Sequence, residues 1–159
     1  MSKKKSVNNL VGTAGEYYVC AELCKRGYLA LMTPKNNPLF DVVVSNSDGS
    51  KTVSIQVKTR SIHNKQGWKL GKDITEKKNN PNLFVILVNL EEDYPEFYIY
   101  EYDELADIVE RNYQKYISTP KRDGSQRQEV PFRWHDIKNF TEDDKNRKNK
   151  WELIEKRLS

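Results

Sequence analysis

Asp41, Gln56 and Lys58 place a carboxylate, an amide and an amine on two neighbouring runs of the chain. These groups suit hydrolysis of a phosphodiester, which needs charge neutralisation at phosphorus, an activated water and a stabilised leaving oxygen. A carboxylate-held Mg²⁺ supplies several of these together. The runs are FDVVV, starting at Phe40, and KTVSIQVKT, ending at Thr59, with a polar break between them that contains Asp48-Gly49. The first is β-branched and the second alternates, so they read as the antiparallel strands of a hairpin. Whether the loop is Asp48-Gly49 alone or Ser47 to Ser50, Asp41 falls directly opposite Gln56, with Cβ atoms roughly 4.5 to 5.5 Å apart. Side chains alternate along a strand, so Ser54, Gln56 and Lys58 share one side and Val53, Ile55 and Val57 the other. An odd loop with a bulge would slip this register and separate the groups. The plain alternative is an ion-pair cluster on a half-exposed sheet.

The elements around the hairpin follow from periodicity. Residues 1–6 are expected to fray, and a helix is predicted from about Val7 to Lys25, ended by Gly27. Leu10, Ala14, Tyr17, Ala21 and Cys24 form one apolar stripe. Val19, Cys20 and Leu23 continue a second that begins at Glu16, so both sides of the helix are expected to be covered. A glutamate in line with a packing stripe needs a partner or a metal, unless it sits at a solvent rim. Tyr28 to Thr33 reads as a strand, and Pro34 to Pro38 as an irregular connection. The segment after Thr59, RSIHNKQGWKLGKD, reads as a mobile basic loop around Trp68, which is either an apolar anchor or a surface for stacking bases.

Leu83 to Leu90 is continuously apolar, as expected of a central strand covered on both faces, and Phe97 to Tyr102 should pair beside it. Asp103 is predicted to cap a helix from about Glu104 to Tyr116. Thr119 to Pro131 reads as loop, Phe132 and Trp134 as a return to the core, and 141–158 as a C-terminal helix with Trp151 docked. The order α-β-β-β-β-β-α-α predicts an α/β (α+β) fold, a mixed β-sheet flanked by helices.

The 159 residues suit one domain spanning 1–159, able to bury a core without staples. Cys20 and Cys24 are the only cysteines and there are two histidines, which argues against a structural zinc site and for buried, reduced thiols. The start MSKKKSVNN lacks an apolar signal core, and no apolar run approaches the roughly 18 residues of a membrane span. A soluble, cytoplasmic protein with no membrane partner is expected. The net charge of +4 is unevenly distributed: 91–110 holds nine of the 23 acids and no Lys or Arg, leaving 27 bases against 14 acids elsewhere, a surplus of +13. Lys3 to Lys5, Lys58 to Lys78, Lys121 to Arg133 and Lys145 to Arg157 carry much of it. Such a surplus fits a phosphate-binding surface beside an acidic back, or ordinary solvated lysines. Lys35, Arg60, His63, Lys65, Trp68 and Lys69 are the candidate nucleic-acid contacts.

The combination of G-x-x-G-E at Gly12 to Glu16, Asp41 at a strand start and Gln56-x-Lys58 beyond it resembles the PD-(D/E)XK nuclease superfamily, in particular its small resolvase-like and restriction-endonuclease-like members. The resemblance covers about residues 10 to 60. Phe40 stands where the name-giving proline would be, and Gln56 replaces the acid of the motif. It implies a restriction-endonuclease-like sheet, a DNA substrate, duplex or branched, and an Mg²⁺ or Mn²⁺ cofactor, and it allows a homodimer. Asp41 would be a metal ligand, Gln56 would offer its amide oxygen, the Val57 carbonyl would add another, and Glu16 would bind directly or through water. Lys58 would orient the attacking water or neutralise the phosphate. With one negative charge fewer at Gln56, metal affinity is expected to be weak. Two other classes fit the same features: a nuclease-fold protein that binds nucleic acid without cutting, and a protein-interaction module using the acidic face of 91–110.

Overall fold

The computed structural model describes residues 3–159 other than Asn36 and Glu92, with 3–6 described by backbone alone. Glu92 of the acidic run and the side chains of Lys3 to Lys5 thus lie outside the described residues. Helix α1 (Lys3–Lys25) leads into strands β1 (Leu29–Met32), β2 (Val42–Ser45) and β3 (Thr52–Arg60). Then come β4 (Gly67–Gly71), β5 (Leu83–Asn89), β6 (Glu96–Glu101), α2 (Tyr102–Ser118), β7 (Phe132–Asp136), α3 (Glu142–Asn146) and α4 (Glu152–Leu158). The main sheet is mixed, in the order β1-β2-β3-β5-β6, and β4 and β7 form a separate two-stranded sheet. Among the described residues only β3 and β5 run parallel.

The hairpin register is the expected one. Val42 faces Ile55, Val43 faces Ser54 and Val44 faces Val53. The turn is the four-residue loop, with the Asn46 N–H donating to Lys51 O and Gly49 held at φ 74°. β3 alternates as predicted, and its two sides meet two cores. Val53, Ile55 and Val57 join Val19, Leu23, Trp151 and Ile154 under α1 and α4. Gln56 and Lys58 lie beside Val85 and Leu87 of β5, on the side where Trp68, Leu70 and the inner face of α2 pack. β5 is buried at every position, because both cores need it.

Several expectations change. α1 begins at Lys3, not near Val7, and only its second stripe is covered. Leu10 is 67% exposed and Tyr17 63%, because the helix has one sheet face to lie on. Cys20 is half-buried and Cys24 exposed, both as free thiols. The segment around Trp68 is the ordered strand β4, not a loop. In β7 the phase is the reverse of that expected: Arg133, His135 and Asp136 are buried while Phe132 and Trp134 are half-buried. The cause is the pairing with β4, which sets His135 opposite Trp68 and Arg133 opposite Leu70, so those residues point inward with their apolar partners. His135 is accommodated by Asp144 (Nε2 to Oδ1, 3.1 Å), whose carboxylate also accepts from Tyr100 OH (2.8 Å). Burial alone would raise the Asp144 pKa, but these bonds and one from the Thr141 N–H hold it below the usual carboxylate range.

Asp103 does not cap α2. Its carboxylate accepts from the N–H groups of Lys78 and Asn79 (2.7 and 2.9 Å), tying the preceding loop to the helix. The C-terminal helix is two short ones. Thr141 opens α3 with a capping box to Asp144, and the chain then turns at Asn149, φ 55°, whose N–H donates to Phe97 O. Among the described residues no helix is long and apolar enough to cross a membrane.

Gly15 sets how closely α1 approaches β3. A Cβ there would sit 1.8 Å from Thr59 Oγ1 and 2.9 Å from its Cβ, whereas one at Gly12 would meet nothing within 4 Å. Gly15→Ala is therefore expected to cost about 1–3 kcal/mol through overpacking. Gly12→Ala should gain up to about 1 kcal/mol from helix propensity. Urea denaturation of both variants measures this; a Gly15→Ala protein as stable as the parent would show that the helix does not depend on that contact.

Candidate active site

Asp41 stands one residue before β2, where the strand begins to pair with β3, and two backbone bonds and one side-chain bond to its neighbour Phe40 fix it. Its N–H donates to Ile55 O (2.9 Å), its C=O accepts from the Thr33 N–H (2.9 Å), and the Thr33 hydroxyl donates to Phe40 O (2.8 Å). Beyond this point β3 has no β2 residue beside it, and the Val57 N–H has no strand partner on that side. The Asp41 carboxylate replaces it, with Oδ2 accepting from Val57 N at 2.7 Å. A charge-assisted bond to a backbone N–H is among the stronger hydrogen bonds. It holds the carboxylate in the gap between the strands.

Glu16 reaches the same gap from α1. With Asp41 it lines a cleft of about 320 Å³ bounded by Gly12, Thr13, Thr33 and Lys35. Its pKa is raised, first by burial and then by the Asp41 charge, with Lys35 partly opposing. Two carboxylates sharing a partly desolvated cleft repel unless a cation lies between them. Gly12, open on its side-chain side, keeps the cleft wall clear, and Gly15 brings the helix close enough for Glu16 to face Asp41.

Gln56 and Lys58 approach from the other side of the sheet. The Gln56 amide N–H donates to Leu39 O at 2.9 Å, which leaves its Oε1 as an acceptor next to the Asp41 segment. The Lys58 side chain is half-buried and has no ion pair among the described residues. Neither residue lines the cleft of Glu16 and Asp41, so the expected set of four splits into a carboxylate pair on one side of the gap and an amide with an amine on the other. The Val57 backbone points toward that gap, as its bond to Asp41 shows.

The donor set is one for a hard cation. Among the described residues no three His, Cys, Asp or Glu side chains converge, so the anionic donors are Glu16 and Asp41 alone. One or two carboxylates, completed by neutral oxygens, water and substrate phosphate, is how Mg²⁺ is commonly held. The residues present fit such an ion.

The expected nucleic-acid contacts separate into two kinds. Lys35, His63, Lys65 and Lys69 are exposed. Arg60 and Trp68 are not: Trp68 is 2% exposed, donates its indole N–H to Val88 O (3.0 Å) and stacks on Phe140. Arg60 lies over the Trp68 ring, reaches Glu91 at 3.5 Å and donates to Asn64 O. Both hold the fold together, and Trp68 is the anchor of the two roles open to it. The acidic run 91–110 is also largely paired. Arg147 bridges Glu101 and Glu104, Lys148 meets Glu96, and Lys77 meets Asp107. What reads as a separate acidic face and basic tail is brought together by folding.

No protein-family model matches the chain, and no curated protein sequence matches it. Among solved structures the chain is similar to a bacterial homing endonuclease, I-Ssp6803I, at 18% identity over 93% of this chain and 92% of that one, with a TM-score of 0.49.

A raised Glu16 pKa has a definite sign in stability. Between the ordinary glutamate value and the raised one, the folded state binds more protons than the unfolded state, so stability falls as pH rises through that window. Glu16→Gln removes this loss. The variant should match the parent below the window and melt higher than it above, and Mn²⁺ should raise the parent melting temperature more than the variant's. Melting curves across pH, with and without Mn²⁺, that remain parallel would remove Glu16 from the site.

Proposed function

We propose that the gap between β2 and β3 is the active centre of a divalent-cation-dependent DNA endonuclease. The observation that carries the reading is the pairing of Glu16 and Asp41 in one partly buried cleft, with the Asp41 carboxylate held by the Val57 N–H. The resemblance of these positions to the PD-(D/E)XK motif supports it, as does the hairpin pairing that ends at Val42 and Ile55 and leaves Asp41 at the mouth of the gap. Glu16 and Asp41 would hold Mg²⁺ or Mn²⁺ in the cleft, with the Val57 carbonyl as a neutral donor and the Gln56 amide oxygen available only from the other side of the gap. When bound, such an ion neutralises charge on the scissile phosphate and makes a water more acidic.

The chain's own residues account for the other requirements. Thr33, Ile55 and Val57 fix the Asp41 backbone and carboxylate, so no ordering of the ligand is left to the moment of reaction. Lys58, half-buried and without an ion pair among the described residues, is available to orient a water or to meet a phosphate oxygen. Lys35 brings a cation to the lip of the cleft, where it favours a phosphate approaching Glu16 and Asp41. Substrate phosphates would supply charge that Gln56 lacks, so occupancy of the metal site would rise with bound DNA.

One observation favours a second reading, a nucleic-acid-binding protein that does not cut. Gln56 and Lys58 approach from the side of the sheet opposite Glu16, and Gln56 gives its amide N–H to Leu39 O.

Cleavage of duplex and branched DNA with Mg²⁺ or Mn²⁺ decides between them. The endonuclease reading expects Asp41→Asn and Lys58→Ala each to lose about 10²-fold or more in rate, while DNA retention stays steeply dependent on salt. Gln56→Glu adds a carboxylate beside Asp41, so without metal it should melt below the parent, and Mn²⁺ should raise its melting temperature further than the parent's. Retention of DNA with no cleavage under either cation would establish the second reading. A Gln56→Glu protein indifferent to metal would show that Asp41 and Gln56 do not share a site.

A further inference from the structure

β7 turns its aromatic residues away from the core. Phe132 and Trp134 are half-buried, and Trp134 has no ring partner among the described residues. They line a cavity of about 300 Å³ between β7 and the C-terminal half of α2, where Tyr113 and Tyr116 form the facing wall. Apolar rings grouped around one surface cavity mark a candidate ligand-binding groove.

Three further features identify the chemistry of what would cover them. Cations lie over the rings: Lys69 over Phe132 (4.2 Å), Arg127 over Tyr116 (4.5 Å) and Arg133 over Tyr113 (3.4 Å). The Asn112 amide nitrogen, on the cavity wall, is buried with no hydrogen-bond partner. A single carboxylate, Asp136, faces the cavity, and it accepts from Gln66 (3.1 Å) and pairs with Lys138 (3.6 Å). Aromatic faces interleaved with bases bind single-stranded nucleic acid, the rings stacking on bases and the cations meeting phosphates. A volume at the lower end of the roughly 300–1,000 Å³ of small-molecule sites takes one flat ring system, not a stacked run.

We propose that this cavity is a pocket for one unstacked nucleobase of a DNA strand, with Trp134 and Tyr116 as stacking surfaces and the Asn112 amide as a donor to the base edge. The inference rests on the reading of the chain as a nucleic-acid-binding protein, but not on cleavage or on metal. A strand and a free nucleotide offer the same base. Arg133 is buried and donates to the Val130 and Phe132 carbonyls, but the exposed Lys69 and the half-buried Arg127 stand over different rings, Phe132 and Tyr116, which favours a strand with more than one phosphate.

The test uses the full chain in EDTA, with four probes: a short single-stranded deoxyoligonucleotide, an abasic oligomer of equal length, a fully paired duplex and a nucleoside monophosphate. Trp68 and Trp151 are each 2% exposed, so a change in tryptophan emission on binding reports Trp134. The base-bearing strand should bind more tightly than its abasic counterpart and alone change the emission. Tyr116→Ala and Trp134→Ala should each weaken that strand by roughly tenfold or more while leaving duplex affinity unchanged, and Tyr116→Phe should restore binding. Equal binding of the base-bearing and abasic strands, with the duplex still retained in a salt-dependent manner, would overturn the pocket alone. Binding of the nucleoside monophosphate as tight as that of the strand would overturn the assignment to DNA. Loss of all four probes would overturn nucleic-acid binding itself, and with it both proposals. Base-dependent binding without metal-dependent cleavage would uphold the pocket and overturn the endonuclease.

Discussion

The candidate site depends on one hydrogen bond, that from the Val57 N–H to the Asp41 carboxylate. β3 runs on to Arg60 while the pairing of β2 with it covers only Thr52 to Ile55. A central strand left without a neighbour exposes backbone donors and acceptors, and an unpaired backbone group is costly once water is excluded. The carboxylate satisfies one such donor, and in doing so is fixed in the gap that α1 covers from one side. Gly15 completes the arrangement, because only a residue without a Cβ lets α1 come down onto Thr59. Glu16 then faces Asp41 as a consequence of packing.

The same close packing produces electrostatic tension. Burial first, and the Asp41 charge second, raise the cost of ionising Glu16. Elsewhere the fold relieves such tension with cations. Arg147 lies among Glu101, Glu104 and Asp143, and Lys148 meets Glu96. At the cleft the only cation among the described bounding residues is Lys35, which is exposed. A cluster that the fold leaves short of positive charge is a natural place for a cation or a cation-bearing complex.

The second sheet has a different logic. β4 and β7 bury Trp68, Leu70 and His135 against β5 and α2, and Asp144 and Tyr100 partner the His135 Nε2. Having turned polar residues inward, β7 turns Phe132 and Trp134 outward beside Tyr113 and Tyr116. One physical choice, the β4–β7 register, thus creates both a buried polar network and an aromatic cavity.

Local pattern was sufficient for the hairpin. The β-branched run at Val42 to Val44, the alternation of β3 and a turn with Gly49 in the left-handed region all act over neighbouring residues, and a period of two admits only one register for an even loop. The buried β5, the pairing of β6 beside it and the start of α3 at Thr141 were legible for the same reason. Long-range competition decided the rest. Trp68 sits in a polar segment that carries no strand pattern of its own, and becomes β4 because β7, far along the chain, pairs with it. The phase of β7 could not be read from Phe132 and Trp134, since apolarity favours burial unless a partner strand dictates otherwise. Asp103 resembles a helix cap and instead holds Lys78 and Asn79, a contact no local rule contains. The segregated charges of 91–110 and the C-terminal bases meet only in three dimensions. Likewise Glu16, Asp41, Gln56 and Lys58 were visible as residue types at the right spacing. Which pair shares a cleft was decided by the side of the sheet from which each arrives.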